Sequence, residues 1–157
     1  MDLMPSDLVP GAPSPAVLSG LADVVAYLQD ASLRSEGTPL YLRICRGEAG
    51  DQLEGPSWDH EANVQLPGWS VIRVAPEAWW PRRPEDWVAR RLGQYKSRLG
   101  SGREGWLVSG QQVGVGTDHE PLLVHLTYWA RIESQAFTEA ERVYNSRFER
   151  AVPSESA

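Results

Sequence analysis

Two long apolar-rich segments separated by only five residues constrain the fold more than any other feature of the sequence. Residues 106–115 and 121–132 are each long enough for an extended strand, and the polar stretch Gly116-Thr117-Asp118-His119-Glu120 lies between them. A short turn-forming connection between two apolar runs is typical of a β-hairpin. The second run, LLVHLTYWARI, is the longest apolar-rich stretch of the sequence, and we expect it to lie centrally in a sheet.

The remaining segments alternate between helical and extended patterns. Apolar spacing predicts helices over residues 19–31 and from Pro84 to about residue 99, and a Thr138/Glu141 capping box predicts a last helix up to residue 150. Strands are predicted over residues 40–46 and 69–74, with a long polar loop over residues 47–67 between them. This order favours an α+β domain, with a mixed or antiparallel sheet and helices packed on it.

Length and composition predict one globular domain over residues 15–150, a flexible leader over residues 1–14 and a loose tail over residues 151–157. No apolar run approaches the ~20 residues that span a bilayer, and the amino-terminal segment has no pattern of an export signal. The single cysteine, Cys45, lies among apolar residues, so we expect a buried, inert thiol and a cytoplasmic protein without membrane contact.

The charge is unevenly distributed along the chain. The net charge of −6 argues against general nucleic-acid binding. Residues 1–61 hold ten acids and three arginines, whereas residues 82–103 hold seven cations and two acids. The basic segment therefore either binds a phosphate or an acidic partner, or forms a solvated helix face that pairs with the acidic half of the molecule.

Tryptophans are concentrated between residues 39 and 87, at Trp58, Trp69, Trp79, Trp80 and Trp87. Aromatic rings among arginines and carboxylates suit a pocket for a small aromatic or nucleotide-like ligand, and we place this pocket between the long loop and the Trp79–Trp80 corner. The same rings would also suit an ordinary core or a protein interface. A binding module is therefore the first interpretation. A small enzyme that uses the carboxylates of Asp59, Glu61 and Glu120 is an alternative.

Most catalytic and metal-binding motifs are missing from the sequence. The three histidines, His60, His119 and His125, lack the spacing of a zinc site, and no metal site is predicted. There is no glycine-rich phosphate loop and no serine in a nucleophile-elbow context. The residues leave open whether the protein is an enzyme.

One arrangement resembles the Arg–Ser–Glu pattern of ADP-ribosyltransferase-like folds, which cleave NAD at the nicotinamide–ribose bond. An arginine on the first strand (Arg43, or Arg46 at its end) is followed by Ser70 on the second strand and by Glu120 before a late strand. The resemblance implies that the arginine grips a pyrophosphate, the serine orients the ribose and the glutamate stabilises the oxocarbenium-like charge. This chain departs from the pattern by having Ser-Val-Ile in place of Ser-Thr-Ser, and Asp118 two residues before the glutamate.

The sequence therefore contains two sets of candidate residues. The candidate ligand-binding residues are Tyr41, Arg43, Arg46, Trp69, Ser70, Trp79 and Trp80, and the candidate catalytic residues are Glu120 and Asp59. No cofactor is required by the sequence, although the transferase pattern would imply NAD.

A second resemblance covers residues 18–132. The ordered segments LYLRICRG, GPSWDHE, LPGWSV, PEAWWPRRPEDWVARRLGQY and GWLVSGQQVGVGTDHEPLL are similar to a family of small actinobacterial proteins known as DUF6098, a domain of unknown function. The resemblance implies an intracellular actinobacterial protein, which agrees with fourteen arginines against one lysine. It implies no activity.

Overall fold

The computed structural model of the chain describes residues 14–30 and 38–148. In these residues the helices are α1 (Leu21–Gln29), α2 (Glu48–Glu54), α3 (Pro84–Tyr95) and α4 (Ser134–Arg147), with a 3-10 turn at Lys96–Arg98. The strands are β1 (Ala16–Leu18), β2 (Tyr41–Cys45), β3 (Trp58–Asp59), β4 (Val64–Gln65), β5 (Trp69–Ser70), β6 (Ile72–Arg73), β7 (Glu104–Val115) and β8 (Pro121–Ile132). The predicted tail and all but the last residue of the predicted leader lie outside the described residues.

The main sheet is mixed and has the strand order β1-β8-β7-β2-β6. β1 runs parallel to β8, whereas the other pairs in the sheet are antiparallel. The predicted hairpin is confirmed as β7 and β8, which pair from Gly105–Ile132 to Val115–Pro121. With helices packed on the sheet, the structure confirms the predicted α+β class.

The segment from Trp69 to Arg73 curls the sheet. Its first half, β5, pairs with β8, and its second half, β6, pairs with β2, although β7 separates those two strands in the sheet. One continuous segment can bridge both strands only if the sheet bends back on itself. The predicted single strand over residues 69–74 is therefore corrected to two short strands with different partners.

Helices cover one face of the sheet. The larger apolar cluster joins α1, α3 and α4 to strand residues such as Leu42, Leu107 and Ile132, and Phe137 of α4 is fully buried in it. A smaller cluster contains Cys45, Val71, Val108, Leu123 and Tyr128. Since Leu42 and Cys45 have opposite parity along β2, the two clusters lie on opposite faces of that strand.

A β-bulge decides which cluster Tyr128 joins. Leu107 pairs with Ala130, but the next residue, Val108, pairs with Tyr128, so Trp129 is an extra residue in β8. Strict alternation would place Tyr128 on the same face as Ala130, beneath the helices. The extra residue reverses this alternation and directs the Tyr128 hydroxyl to the opposite face.

Several predicted boundaries are wrong. Residues 47–67 are not a structureless loop, because they contain α2 and the two-stranded ribbon of β3 and β4. The last helix begins at Ser134 with Glu133 at its N-cap, so Thr138 and Glu141 lie within the helix and form no capping box. The three-residue strand β1 was not predicted.

Candidate functional site

A cavity of about 570 Å³ lies beside the edge of β2. β6 pairs only with Tyr41 and Leu42, so the strand edge beyond Leu42 has no β6 partner and Ile44 lines the cavity. The wall is completed by the end of α2, the β3–β4 ribbon, the 3-10 turn after α3 and the loop before β8. The arginines that line it are Arg43, Arg46, Arg73, Arg91, Arg98 and Arg103, and the acids are Asp51, Glu54, Asp118 and Glu120.

Arg43 forms the most buried ion pair of the cavity. Its Nε and Nη2 atoms each donate to a carboxylate oxygen of Asp51 at 2.7 Å, and Nη1 donates to the Ser70 carbonyl at 2.8 Å. The Tyr128 hydroxyl donates to the same Asp51 carboxylate. The side chains of Arg43 and Asp51 are only 13% and 4% exposed, so this bidentate pair is held away from water.

Burial and pairing shift the ionisation of this group. Burial alone would raise the pKa of Asp51, but hydrogen bonds and charge attraction from Arg43, with help from Tyr128, lower the pKa below its usual value. Burial and the hydrogen bond to Asp51 raise the pKa of Tyr128. Burial lowers the pKa of Arg43, yet Asp51 outweighs that effect and raises it. At neutral pH the group is therefore a buried guanidinium–carboxylate pair capped by a neutral phenol.

The arginines at one end of the cavity are less neutralised. Arg46 donates to the Ser101 carbonyl at 3.0 Å and forms an exposed pair with Glu54 at 3.1 Å. Arg98 stacks over the Tyr95 ring at 4.8 Å, and Arg103 follows the tight turn that begins at Gly100. In the described part of the chain, neither Arg98 nor Arg103 forms an ion pair with a carboxylate.

The opposite end contains the loop before β8. Glu120 accepts a hydrogen bond from the Ser70 hydroxyl at 3.2 Å and another from the Asp118 amide at 3.0 Å. A Cβ atom at Gly116 would lie only 2.2 Å from the Glu120 carboxylate, so a larger residue there would force this side chain to move away from the turn. Arg73 contacts the His119 carbonyl at 3.4 Å. These contacts fix the loop against β5 and β6.

The cavity brings together some of the sequence-predicted residues and leaves others apart. Arg43, Arg46, Ser70 and Glu120 all line it, and Ser70 contacts both Arg43 and Glu120. The predicted ligand-binding residues that do not line it are Tyr41, Trp69, Trp79 and Trp80. Asp59 is also outside the lining, where its Oδ1 accepts amide hydrogens from residues 61 and 62 of the ribbon.

The predicted tryptophan corner is a separate cluster. Trp79, Trp80 and Trp87 make mutual edge-to-face contacts, with ring centroids 5.0–6.0 Å apart. Trp87 is 5% exposed, whereas Trp79 is 67% exposed. Of the tryptophans, only Trp58 lines the cavity, at its rim. The corner therefore does not form a wall of this cavity.

Burial raises the pKa of the Cys45 thiol to about 12, and the nearby Asp51 carboxylate adds to the effect. A thiol with so high a pKa is a poor nucleophile at neutral pH. The described residues contain no group of three side chains that could hold a metal ion. They also contain no helix with the length and apolar character needed to cross a membrane.

Sequence reasoning missed Asp51, Tyr128, Arg73, Arg98 and Arg103 as parts of one site. The excess of cations over residues 82–103 was the available signal for Arg98 and Arg103. No sequence pattern indicated Asp51, because it lies within residues 47–67, for which a loop is predicted. Tyr128 depended on a β-bulge that periodicity cannot show.

The fold and the cavity define a small α+β protein with an arginine-lined cavity at a sheet edge. The chain belongs to the DUF6098 family, a family of unknown function whose model matches residues 13–154. This match confirms the second resemblance found in the sequence. No curated protein and no solved structure matches the chain.

Proposed function

We propose that the protein binds a small phosphate-bearing molecule in the cavity beside β2. The observation that carries the proposal is that Arg98 and Arg103 line the cavity without a carboxylate partner among the described residues. An arginine that is not neutralised within the protein is suited to grip a phosphate through charge-assisted hydrogen bonds. Nucleotides belong to this ligand class, and the half-exposed ring of Trp58 offers a stacking surface at the rim.

The charge of the lining supports an anion. In each of the pairs Arg43–Asp51 and Arg46–Glu54, the positive and negative charges neutralise each other. The remaining lining charges are the cations Arg73, Arg91, Arg98 and Arg103 and the carboxylates Asp118 and Glu120. The protein has a net charge of −6, but its cavity has a local excess of positive charge. Such local fields concentrate anionic ligands even on an acidic protein.

Calorimetric titration with inorganic pyrophosphate at low salt tests this proposal. We expect Arg103→Ala to weaken binding about tenfold or more, since a hydrogen bond to a charged group contributes about 1.5–3 kcal/mol. Arg90→Ala is the matched control, because Arg90 is exposed on α3 and lies outside the cavity lining. Absence of binding, or equal effects of the two substitutions, would contradict the proposal.

A second candidate function is cleavage of NAD, as in the ADP-ribosyltransferase-like pattern. The contacts Arg43–Ser70 and Ser70–Glu120 favour it, because they join the three predicted residues in one cavity wall. The hydrogen bonds of Arg43 argue against NAD cleavage. Three of its nitrogens already donate hydrogen bonds to Asp51 and Ser70. The guanidinium group is therefore bound within the protein and is not free to bind a pyrophosphate.

Release of nicotinamide from NAD tests the second candidate. If Glu120 stabilises the leaving of nicotinamide, Glu120→Gln should lower turnover by at least about a hundredfold, as loss of one electrostatic stabiliser does in other enzymes. The amide oxygen of glutamine can still accept the hydrogen bond from the Asp118 amide, and its NH2 group can donate to the Ser70 hydroxyl instead of accepting from it. No release by the native protein would exclude this function, and unchanged turnover in the variant would exclude Glu120 as the catalytic group.

Cytoplasmic location and an actinobacterial source stay predictions from the sequence. An interaction role for the tryptophan cluster also stays a prediction, which the exposed ring of Trp79 supports.

A further inference from the structure

The two ends of the cavity differ in charge. At one end, Arg98 and Arg103 flank the turn at Gly100, and Arg46 bonds to the same turn through Ser101. At the other end, Asp118 and Glu120 line the cavity beside Arg73. The two carboxylates exceed the single arginine at this end, so the cavity is positive at one end and negative at the other.

The strand register gives the backbone spacing, along β2, of the segments that carry the two ends. Arg73 pairs with Tyr41 at the start of β2, and Glu104, the neighbour of Arg103, pairs with Cys45 at its end. Four residues of extended strand cover about 13 Å. A ligand that contacts both ends is therefore elongated along β2 and is longer than a phosphate ion.

The Asp118 carboxylate is the free acceptor at the negative end. The Glu120 carboxylate is already occupied by Ser70 and by the Asp118 amide. No described residue donates a hydrogen bond to the Asp118 side chain or forms an ion pair with it. A carboxylate in this position can accept hydrogen bonds from ligand hydroxyls, as acidic residues do for ribose hydroxyls in nucleotide sites.

We propose that the ligand is a sugar phosphate, with its phosphate at Arg98 and Arg103 and its sugar hydroxyls at Asp118. The inference rests on the phosphate binding proposed above and adds the chemistry of the ligand's other end. A plain anion would gain nothing from Asp118 and would be repelled by it. A sugar hydroxyl would gain a charge-assisted hydrogen bond.

The test compares inorganic phosphate, ribose 5-phosphate and phosphoethanolamine by calorimetric titration of the native protein. We expect ribose 5-phosphate to bind at least about tenfold more tightly than phosphate, which corresponds to about 1.4 kcal/mol. Asp118→Asn should weaken the binding of ribose 5-phosphate severalfold and should not weaken that of phosphate. Glu77→Gln is the control, because it removes one exposed negative charge outside the cavity.

The outcomes separate the two proposals. If no probe binds, both proposals fail. If phosphate and ribose 5-phosphate bind equally, or if Asp118→Asn strengthens the binding of both, the phosphate site stands and the sugar inference is overturned. Tighter binding of phosphoethanolamine than of ribose 5-phosphate would overturn it too, because the negative end would then recognise an ammonium group. Thermal unfolding of each variant verifies that it is folded.

Discussion

At the scale of single residues, the buried pair of Arg43 and Asp51 holds together the elements that surround the cavity. Asp51 comes from α2, Arg43 from β2 and Tyr128 from β8, so three separate elements meet at one carboxylate. A buried charge that loses its partner is strongly destabilising, because it keeps the cost of desolvation without the compensating attraction. We therefore regard the group as structural support for the cavity rather than as a ligand-binding element.

Asp51→Asn should lower the free energy of unfolding by about 3–5 kcal/mol, as expected when one partner of a buried ion pair is removed. Glu54→Gln, three residues further along α2, should cost less than about 1 kcal/mol because its pair with Arg46 is exposed. Urea unfolding at pH 7 measures both changes. Equal and small losses would show that the Arg43–Asp51 pair does not support the fold.

The same pair predicts how stability depends on pH. The pKa of Asp51 is lower in the folded protein than in the unfolded chain. Its contribution is therefore complete above the unfolded value, about 3.9, and is lost as the pH falls below it. Urea unfolding repeated down to pH 3 should show this acid-dependent loss in the native protein and a smaller loss in Asp51→Asn. Parallel pH profiles for the two proteins would contradict the assignment.

At the scale of elements, the tryptophan cluster fixes the segment before α3. Trp87 lies in α3 and is buried, while Trp79 and Trp80 belong to the preceding corner and contact it edge to face. The rings therefore join the corner to the helix whose far end bears Arg91 and leads to Arg98. Trp79 and Trp80 therefore have a packing contact with α3, and their predicted role in ligand binding stays a prediction.

Trp87→Ala should lower the free energy of unfolding by about 3–5 kcal/mol, the usual range for a buried large aromatic residue. Trp79→Ala should change it by less than about 1 kcal/mol, because the ring is mostly exposed. Denaturant unfolding measures both. Comparable losses for the two variants would mean that the exposed ring has a larger structural role than its burial indicates.

Prediction from sequence succeeded where one element carries its own pattern. The β7–β8 hairpin and the start of α3 at Pro84 follow from apolar runs, a turn-rich connection and a proline suited to the first helical turn. It failed at α2, which has seven residues and few apolar side chains. So short a helix is stabilised by tertiary contacts, here those of Asp51, which a local pattern does not contain.

The candidate site was only partly predictable for the same reason. Arg43, Arg46, Ser70 and Glu120 were identified from chain order, and the structure places them along one cavity. Their partners are set by strand register and by the extra residue Trp129 in β8. A local sequence pattern cannot show either, because both depend on pairing between distant segments.

At the scale of the whole molecule, the charge pattern connects sequence to function. Five of the seven cations of residues 82–103 divide between two environments. Arg82 and Arg83 contact the buried Asp86 near the start of α3, which belongs to the same segment and not to the acidic half of the molecule. Arg91, Arg98 and Arg103 line the cavity, as the phosphate interpretation expects. The first group is therefore paired within the segment itself, and the second supports the proposed phosphate site.

The most direct test of the phosphate site is a nuclear magnetic resonance titration that follows the arginine Nε–H signals as inorganic pyrophosphate is added. We predict that the signals of Arg98 and Arg103 shift in a saturable way, while that of Arg90, which lies outside the cavity lining, does not. The signal of Arg43 should stay nearly unchanged, because its Nε already donates to Asp51. Shifts spread equally over Arg90 and the cavity arginines, or no shift at all, would contradict a phosphate-binding cavity beside β2.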